Sequence, residues 1–452
     1  MASSSHPRLT ANWLFGQSYS GDERRTLVLL AGVLALASAN AAAVGAVAPE
    51  VRTAFGVSNT AIGVLASAAT AAAALATVPF GILVDRLNRT KLLAVSAFLI
   101  GLVAVLSSLA ASFAFLFVTR VALGALTGVA GPGVASMLGD TFDESRRGRS
   151  YGTVLAGELV GAGVGFGVAG ELAAVSWRAS FAALAPPAVV VAWYLWRLPE
   201  PERGRSVSSS GEEPREQVIA SWRQLSLPRT VSYVLSVPTF VIFILSGACS
   251  YFYFAGLRTF GVEFATQHYH VSQAVATAMF LFVGTGGLAG VLVAGRLGDR
   301  LEARYPAGRV LVAMFALFGA AAVFVPAILS SSYLVGLPLM MAGAFGLAAA
   351  TPPLSAGRLQ VIPPGLWGRA EGVQGVLRQV GDSLGPFTFG LASDRFSGRG
   401  QAGLQSSFLV MLFSLVCAGG VLLLAVRTYP QDARLARVAA GRPPGASWKR
   451  GT

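Results

Sequence analysis

Charge is scarce in this chain. Asp, Glu, Lys and Arg make up only 12% of its 452 residues, about half the ~25% usual for a soluble domain. Hydrophobic residues make up 54%, and the mean hydropathy is +0.63. Reactive side chains are just as sparse. The two cysteines, Cys249 and Cys417, both fall in apolar runs, which excludes a disulfide framework and implies no metal site. No His–Asp, Ser–His or metal-ligand constellation falls on the apolar runs, and no G-x-x-x-x-G-K-[ST] phosphate loop occurs. Enzymatic chemistry and ATP-driven pumping are therefore not expected, and neither is a cofactor. The runs do not alternate as the strands of an outer-membrane barrel would. The first 26 residues are polar and basic with no small-residue cleavage site after the first apolar run, so that run reads as a retained helix.

What remains is a series of windows each able to cross a bilayer core, which takes roughly 20 apolar residues. They fall at about 27–47, 60–84, 92–112, 114–138, 151–174, 179–197, 232–257, 272–295, 308–330, 333–357, 370–392 and 404–426. The reading is an all-α integral membrane protein with twelve transmembrane helices. The segments are an N-terminal stretch (1–26), a six-helix half (27–197), a hydrophilic linker (198–231), a second six-helix half (232–427) and a tail (428–452). The formal charge of +13 is topological and does not call for nucleic acid. With the N-terminus inside, only Arg52, Arg178, Arg258, Arg395 and Arg399 fall outside and only Arg120 and Arg378 within spans. All other basic residues are cytoplasmic, as the positive-inside rule requires. Both termini, the linker and the tail are then cytoplasmic.

The two halves share a ruler. Ser58 lies 27 residues before Asp85, and Ser272 lies 27 before Asp299; both serines sit where an N-cap would start a helix. One offset of 214 lays "GILVDRL" (Gly81–Leu87) over "GRLGDRL" (Gly295–Leu301), matching Gly81 with Gly295, Asp85 with Asp299 and Arg86 with Arg300. An offset of 220 lays span five over span eleven, with glycines coinciding at 152/372, 161/381, 165/385 and 170/390. In that register Glu158 stands opposite Arg378. Two repeated six-helix halves describe a known transporter architecture.

The segment "GILVDRLNRTK", with Gly81, Asp85, Arg86, Arg89 and Lys91, resembles the signature of the major facilitator superfamily between spans two and three. Asn88 takes the place of the second glycine. The resemblance extends over about 25–427 and implies a pseudo-symmetric carrier working by alternating access. It also implies that the signature acts as a conformational latch, with Arg146, Arg147 and Arg149 as candidate partners and Gly295, Asp299 and Arg300 as the repeat. A narrower resemblance is to the Spinster-type branch, carried by "VIPPGLWGRAEGVQGVLRQVGDSLGPFTFGLASD" (Val361–Asp394), "TRVALGAL" (Thr119–Leu126) and "SWRASF" (Ser176–Phe181). That branch is associated with proton-linked export of lysophospholipids and sphingoid lipids. Two of its acids are absent here, their positions being Asn40 and Thr127, while its arginine remains as Arg120 and its histidine position is Arg378.

Charges inside spans are costly, so they face a wet cavity or a partner. Four are expected there: Arg120, Glu158, Arg378 and Asp382. At 1.5 Å per residue Arg120 and Glu158 differ in depth by roughly 8 Å. A direct or water-mediated pair is one reading, and a Glu158 protonated against helix carbonyls is the other. Arg378 and Asp382, spaced i, i+4, are expected to pair on one face of span eleven, or else to leave Arg378 free for an anionic head group. Glu158, nearly level with Thr127, is the expected substitute for the missing proton-handling carboxylate. Tyr251, Tyr253 and Phe254 on span seven are candidates for an apolar substrate cavity, or else interface anchors. His268 and His270 are placed in the external loop before span eight. The expected function is secondary transport of an amphipathic or lipid-like molecule of lysophospholipid type, proton-coupled, by a monomer in the cell membrane. A multidrug or metabolite exporter of the same fold, or a non-transporting receptor or scaffold, stand as alternatives.

Overall fold

The computed structural model describes residues 19–142, 144–201, 221–222, 225–398 and 402–440, and those residues form helices joined by short turns. The side chains of Asp85, Arg146, Arg147 and Arg149 lie outside the described part, as do most of the linker and residues 441–452.

The first half comprises α1 (Gly21–Ala46), α2 (Ala48–Phe55), α3 (Asn59–Arg86), α4 (Arg89–Ser108), α5 (Phe113–Thr127), α6 (Ala130–Thr141), α7 (Glu144–Ala173), α8 (Trp177–Ala182) and α9 (Ala185–Trp196). The second comprises α10 (Leu227–Ser236), α11 (Pro238–Tyr269), α12 (Gln273–Glu302), α13 (Gly308–Leu329), α14 (Tyr333–Ala349), α15 (Thr351–Val361), α16 (Trp367–Ser397), α17 (Gly403–Met411) and α18 (Phe413–Ala439). Among the described residues, eleven stretches are long and apolar enough to cross a membrane. The remaining expected span is α16, a helix of 31 residues whose composition is less apolar than that of the others.

Serines cap the helices where the repeat placed them. Ser58 accepts from Ala61 N at 3.3 Å and Ser272 from Val275 N at 3.4 Å. Asn88, at the signature's second glycine position, has an extended backbone (φ −66°) and caps α4 by accepting from Lys91 N at 2.9 Å. No left-handed turn is needed there. Span four breaks at Gly128–Val129 and span ten at Ala350, and Pro352 and Pro353 then open α15. The seventh span is longer than its hydropathy window, running on to Tyr269 and enclosing Arg258, Glu263 and His268. The twelfth runs on through the expected tail to Ala439, where Trp222 Nε1 donates to the Ala439 carbonyl at 3.3 Å.

Three of the four repeated glycine pairs hold helices together; the first, Gly152 and Gly372, has nothing within 4 Å of either Cβ position. A methyl group on Gly157, Gly161 or Gly165 of α7 would overlap Ala31, Ala35 or Ala39 of α1. On Gly381 or Gly385 of α16 it would overlap Ala248 or Phe252 of α11. One turn or two further along, the paired glycines turn to the other half: Gly170 meets Thr277 of α12, and Gly390 meets the Asn59 carbonyl of α3. Small residues permit this backbone approach where lipid supplies no hydrophobic drive between helices.

The end of the molecule that bears the turns after α3 and α12, together with residues 19–20 and the end of α18, is the basic face. Of the residues expected to form a latch, Arg89, Lys91 and Asp299 have partners here within their own halves. Arg89 is buried rather than solvated, pairing with Asp140 at 2.5 Å and Glu200 at 2.7 Å. It also donates to Ser136 Oγ at 3.0 Å and the Pro201 carbonyl at 2.8 Å. Lys91 lies over the Trp196 ring at 4.3 Å and donates to the Trp196 carbonyl. In the repeat, Asp299 pairs with Arg309 at 2.7 Å, while Arg300 of its own turn is exposed, as is Arg86. Gly81 has open space around it and Gly295 lies near Pro352.

Burial works against the charge of Glu200, but hydrogen bonds from Thr90 N and Arg89 hold its carboxyl below the usual carboxylate range. A depressed carboxyl pKa contributes stability above the ordinary value and loses it as pH falls. Glu200→Gln is therefore expected to cost about 1–3 kcal/mol at pH 7, read as a lower unfolding midpoint. The gap from wild type narrows as the pH falls below the ordinary carboxylate value and closes once the native carboxyl is itself protonated. Gly161→Leu and Gly381→Leu should each cost about 1–3 kcal/mol by overpacking. Gly163→Leu, with nothing within 4 Å of its Cβ position, should leave the midpoint unchanged.

Candidate functional site

Every hydrogen bond and ion pair between the halves, among the described residues, lies on the side opposite the basic face. The Asp394 carboxylate at the end of α16 caps the N-terminus of α3, accepting from Asn59 N at 3.1 Å, Thr60 N at 2.8 Å and Thr60 Oγ1 at 2.5 Å. Asn59 Nδ2 donates to Ser393 Oγ at 3.0 Å. A carboxylate is favoured there by the orphan N–H groups and the positive end of the helix dipole. Two turns deeper, Pro386 interrupts the α16 ladder and the next N–H, Phe387, donates to Ser67 Oγ at 3.0 Å. Arg52 of α2 pairs with Glu263 of α11 at 2.9 Å, and Gln273 Nε2 donates to the Ala46 carbonyl. Phe166 stacks on Phe280 at 4.6 Å. Toward the basic face the same helices carry exposed apolar side chains, among them Leu75, Val78, Leu159, Leu292 and Val380.

The expected charges are distributed differently from the expectation. Arg120 and Glu158 are not paired. Arg120 is 1% exposed and points between α4 and α8, donating to Ser107 Oγ at 2.6 Å and lying over the Phe181 ring at 4.4 Å. Its Nε and Nη1 have no hydrogen-bond partner among the described residues. Glu158 is exposed on the flank of α7 between the face that meets α1 and the one that meets α12. No ion pair joins it to another described residue. Asn40 does not open onto a cavity: it is 1% exposed and donates to the Leu36 carbonyl of its own helix at 3.0 Å. Thr127 is half-buried and donates to the Gly124 carbonyl at 2.7 Å, at the break in span four.

Arg378 and Asp382 also find other partners than each other. Asp382 pairs with Arg258 of α11 at 3.4 Å, and Arg378 lies over the Tyr251 ring at 4.1 Å. Tyr251 packs edge-on against Phe254 at 6.0 Å, and Phe254 is 39% exposed. Tyr253 lines no ligand-sized cavity: it is fully buried, packed among Phe324, Phe389 and Phe408. It edges a cavity of about 40 Å³ walled by Phe264, Tyr269, Met340 and Phe408, well below the several hundred Å³ (~300 or more) of a ligand pocket. His268 belongs to the last turn of α11, stacked on Phe264 at 4.9 Å with Nε2 2.7 Å from the Ser330 carbonyl. No cluster of metal-ligating side chains occurs among the described residues.

The residues that the sequence reading missed are those of the closed end: Glu50, Arg52, Arg258, Glu263 and Asp394. A hydropathy window stops at the first charges, which hid the last three turns of α11. The signal for them was the lack of any proline from 239 to 269.

The profile described as Major Facilitator Superfamily matches residues 29–386. No curated relative matches the sequence. Among solved structures, the chain is similar to a bacterial homologue of the human lysosomal transporter Spinster in an inward-facing, unoccupied conformation. The TM-score is 0.82 at 20% identity, over 92% of this chain and 99% of that one. The occupied inward-facing form gives 0.80 over the same shares, again at 20% identity. A D-xylose–proton symporter gives 0.68 at 17% identity, over 88% of this chain and 96% of that one. The fold is that of a transporter rather than an enzyme, two six-helix halves joined at one face, and the chain belongs to the major facilitator superfamily.

Proposed function

We propose that the chain is a secondary active transporter that carries an amphipathic, lipid-like organic molecule of lysophospholipid type by alternating access, coupled to protons. The observation that carries this reading is the character of the seam between the halves. Its walls are aliphatic and aromatic, and the polar groups on them are few: Glu158 on one half, and Arg378 on Tyr251 with the Arg258–Asp382 pair on the other. Charge within a span is costly unless it faces water or a partner, so these half-exposed groups fit a wet passage. An apolar wall with one cation and one acid suits a tail and an ionic head group. In this reading Glu158, exposed and without an ion pair among the described residues, takes and gives up the coupling proton, and Arg378 receives an anionic head.

The positive-inside rule puts the basic face in the cytoplasm, so closure at the opposite face corresponds to an inward-open carrier. The exposed Arg86 and Arg300 then engage across the halves as a latch when the basic face closes, and the Arg89 and Asp299 clusters hold the turns that carry them. The carrier works as a monomer in the cell membrane, its halves at 27–197 and 232–427 rocking about the linker.

In proteoliposomes, lysophospholipid flux driven by an imposed pH gradient should fall at least ~10-fold in Glu158→Gln while downhill exchange persists. Arg378→Gln should weaken transport of anionic more than of zwitterionic substrates. Absence of flux for every lysolipid from folded protein would sink the lipid reading. Unaltered gradient dependence in Glu158→Gln would remove the proton role from that residue.

A further inference from the structure

The closed face contains an unbalanced set of charges. α2 lies between the halves and presents Glu50 and Arg52; α11 presents Glu263 and Gln267. Glu263 is buried, its side chain 2% exposed, and its Oε1 takes both Arg52 Nη2 at 2.9 Å and Gln267 Nε2. Its Oε2 has no partner among the described residues, nor has Oε2 of Glu50, and both atoms are shielded from water. The guanidinium is thus taken by Glu263, and the Glu50 carboxyl has no ion-pair partner among the described residues. With both ionised, a net negative charge and two orphaned acceptor oxygens remain; one added proton removes the charge and supplies a donor.

We infer that Glu50 and Glu263 form a proton-binding carboxyl pair that keeps this face shut when it carries a proton and lets it part when it does not. The inference rests on the alternating-access part of the reading above, and on neither the substrate nor Glu158.

The other charges near α2 are committed. Arg258, also on α11, is held by Asp382, and Asp394 by Asn59 and Thr60. Phe55 of α2 packs on Trp177 and Phe113, and the cation beyond, Arg178, lies over Trp177 and donates to the Ala110 carbonyl at 3.0 Å. The ends of α1 and α3 packed against α2 carry no titratable side chain. Glu263 is the acid that faces Glu50.

Burial first, and then the charge of Glu263, push the Glu50 carboxyl up to about 7, against a backbone hydrogen bond that lowers it. Parting the halves returns Glu50 to water, where a Glu titrates near ~4.3. Between those values the closed form holds a proton that the open form has lost. Raising the pH through that range therefore weakens closure, and the loss is complete above about 7. The closed-to-open ratio should change on the order of 100-fold. Glu50 is only half-buried, so the proton exchanges with the solution on its own side of the membrane.

The test uses the full chain in lipid nanodiscs, with Cys249 and Cys417 replaced by alanine. Spin labels are placed at Val175→Cys and Leu334→Cys, exposed positions of the two halves on the closed face. Label separation is followed between about pH 5 and 9. Wild type should populate longer separations with rising pH, with a midpoint near neutrality. Glu50→Gln should stay closed throughout, and Glu263→Gln, which removes the facing negative charge, should move the midpoint down. A wild-type separation that ignores pH, or a Glu50→Gln profile that follows wild type, would overturn the inference. Because the readout needs no substrate, failure of lipid flux leaves it standing.

Discussion

In a bilayer the solvent is as apolar as leucine, so what holds helices together is how closely their backbones can approach and which polar groups find partners across the gap. The repeated glycines of α7 and α16 meet that requirement twice. Near the middle of each helix they seat it on α1 or α11 of its own half, through Gly161 on Ala35 and Gly381 on Ala248. Near the end opposite the basic face they meet the other half, through Gly170 on Thr277 and Gly390 on Asn59. Contacts within a half run the length of the helices, whereas those between halves are confined to one end. Each half can thus move as a unit about a short seam.

The polar contacts of that seam suit a reversible closure. Asp394 on the α3 N-terminus, Ser67 with Phe387, and Arg52 with Glu263 are hydrogen bonds and ion pairs between groups that water would otherwise satisfy. Interhelical hydrogen bonds in membranes contribute only about 0.6–1.7 kcal/mol each, so a handful can be offset by the binding energy of a substrate or a change in protonation. The knots of the basic face differ. Arg89, with Asp140 and Glu200, is buried within one half and ties α4, α6 and the end of α9 into a single body.

Each cation placed inside a span is accommodated by its own means. Arg378 lies on a tyrosine ring, Arg258 takes Asp382, and Arg120 lies on Phe181 with one serine bond and no counter-charge among the described residues. The i, i+4 spacing of Arg378 and Asp382 suggested a pair on one helix. An inter-helix pair won because α11 continues through Arg258 to Tyr269, and a cation carried that far into the bilayer has a greater need of a partner than two charges already adjacent on α16.

By itself the sequence determined the membrane class, the number and approximate places of the spans, the two-fold repeat, the capping serines and the glycines at which helices meet. All of these follow from local composition or from spacing along one chain. Only the tertiary structure decided which charge faces which, that Tyr253 and Asn40 are buried, that Arg120 and Glu158 look in different directions, and that the unpredicted cluster of Glu50, Arg52 and Glu263 closes one face. Those outcomes depend on the rotation of each helix about its axis and on where a span ends. A rotation of one residue, about 100°, moves a side chain from a neighbour to the seam without changing hydropathy at all.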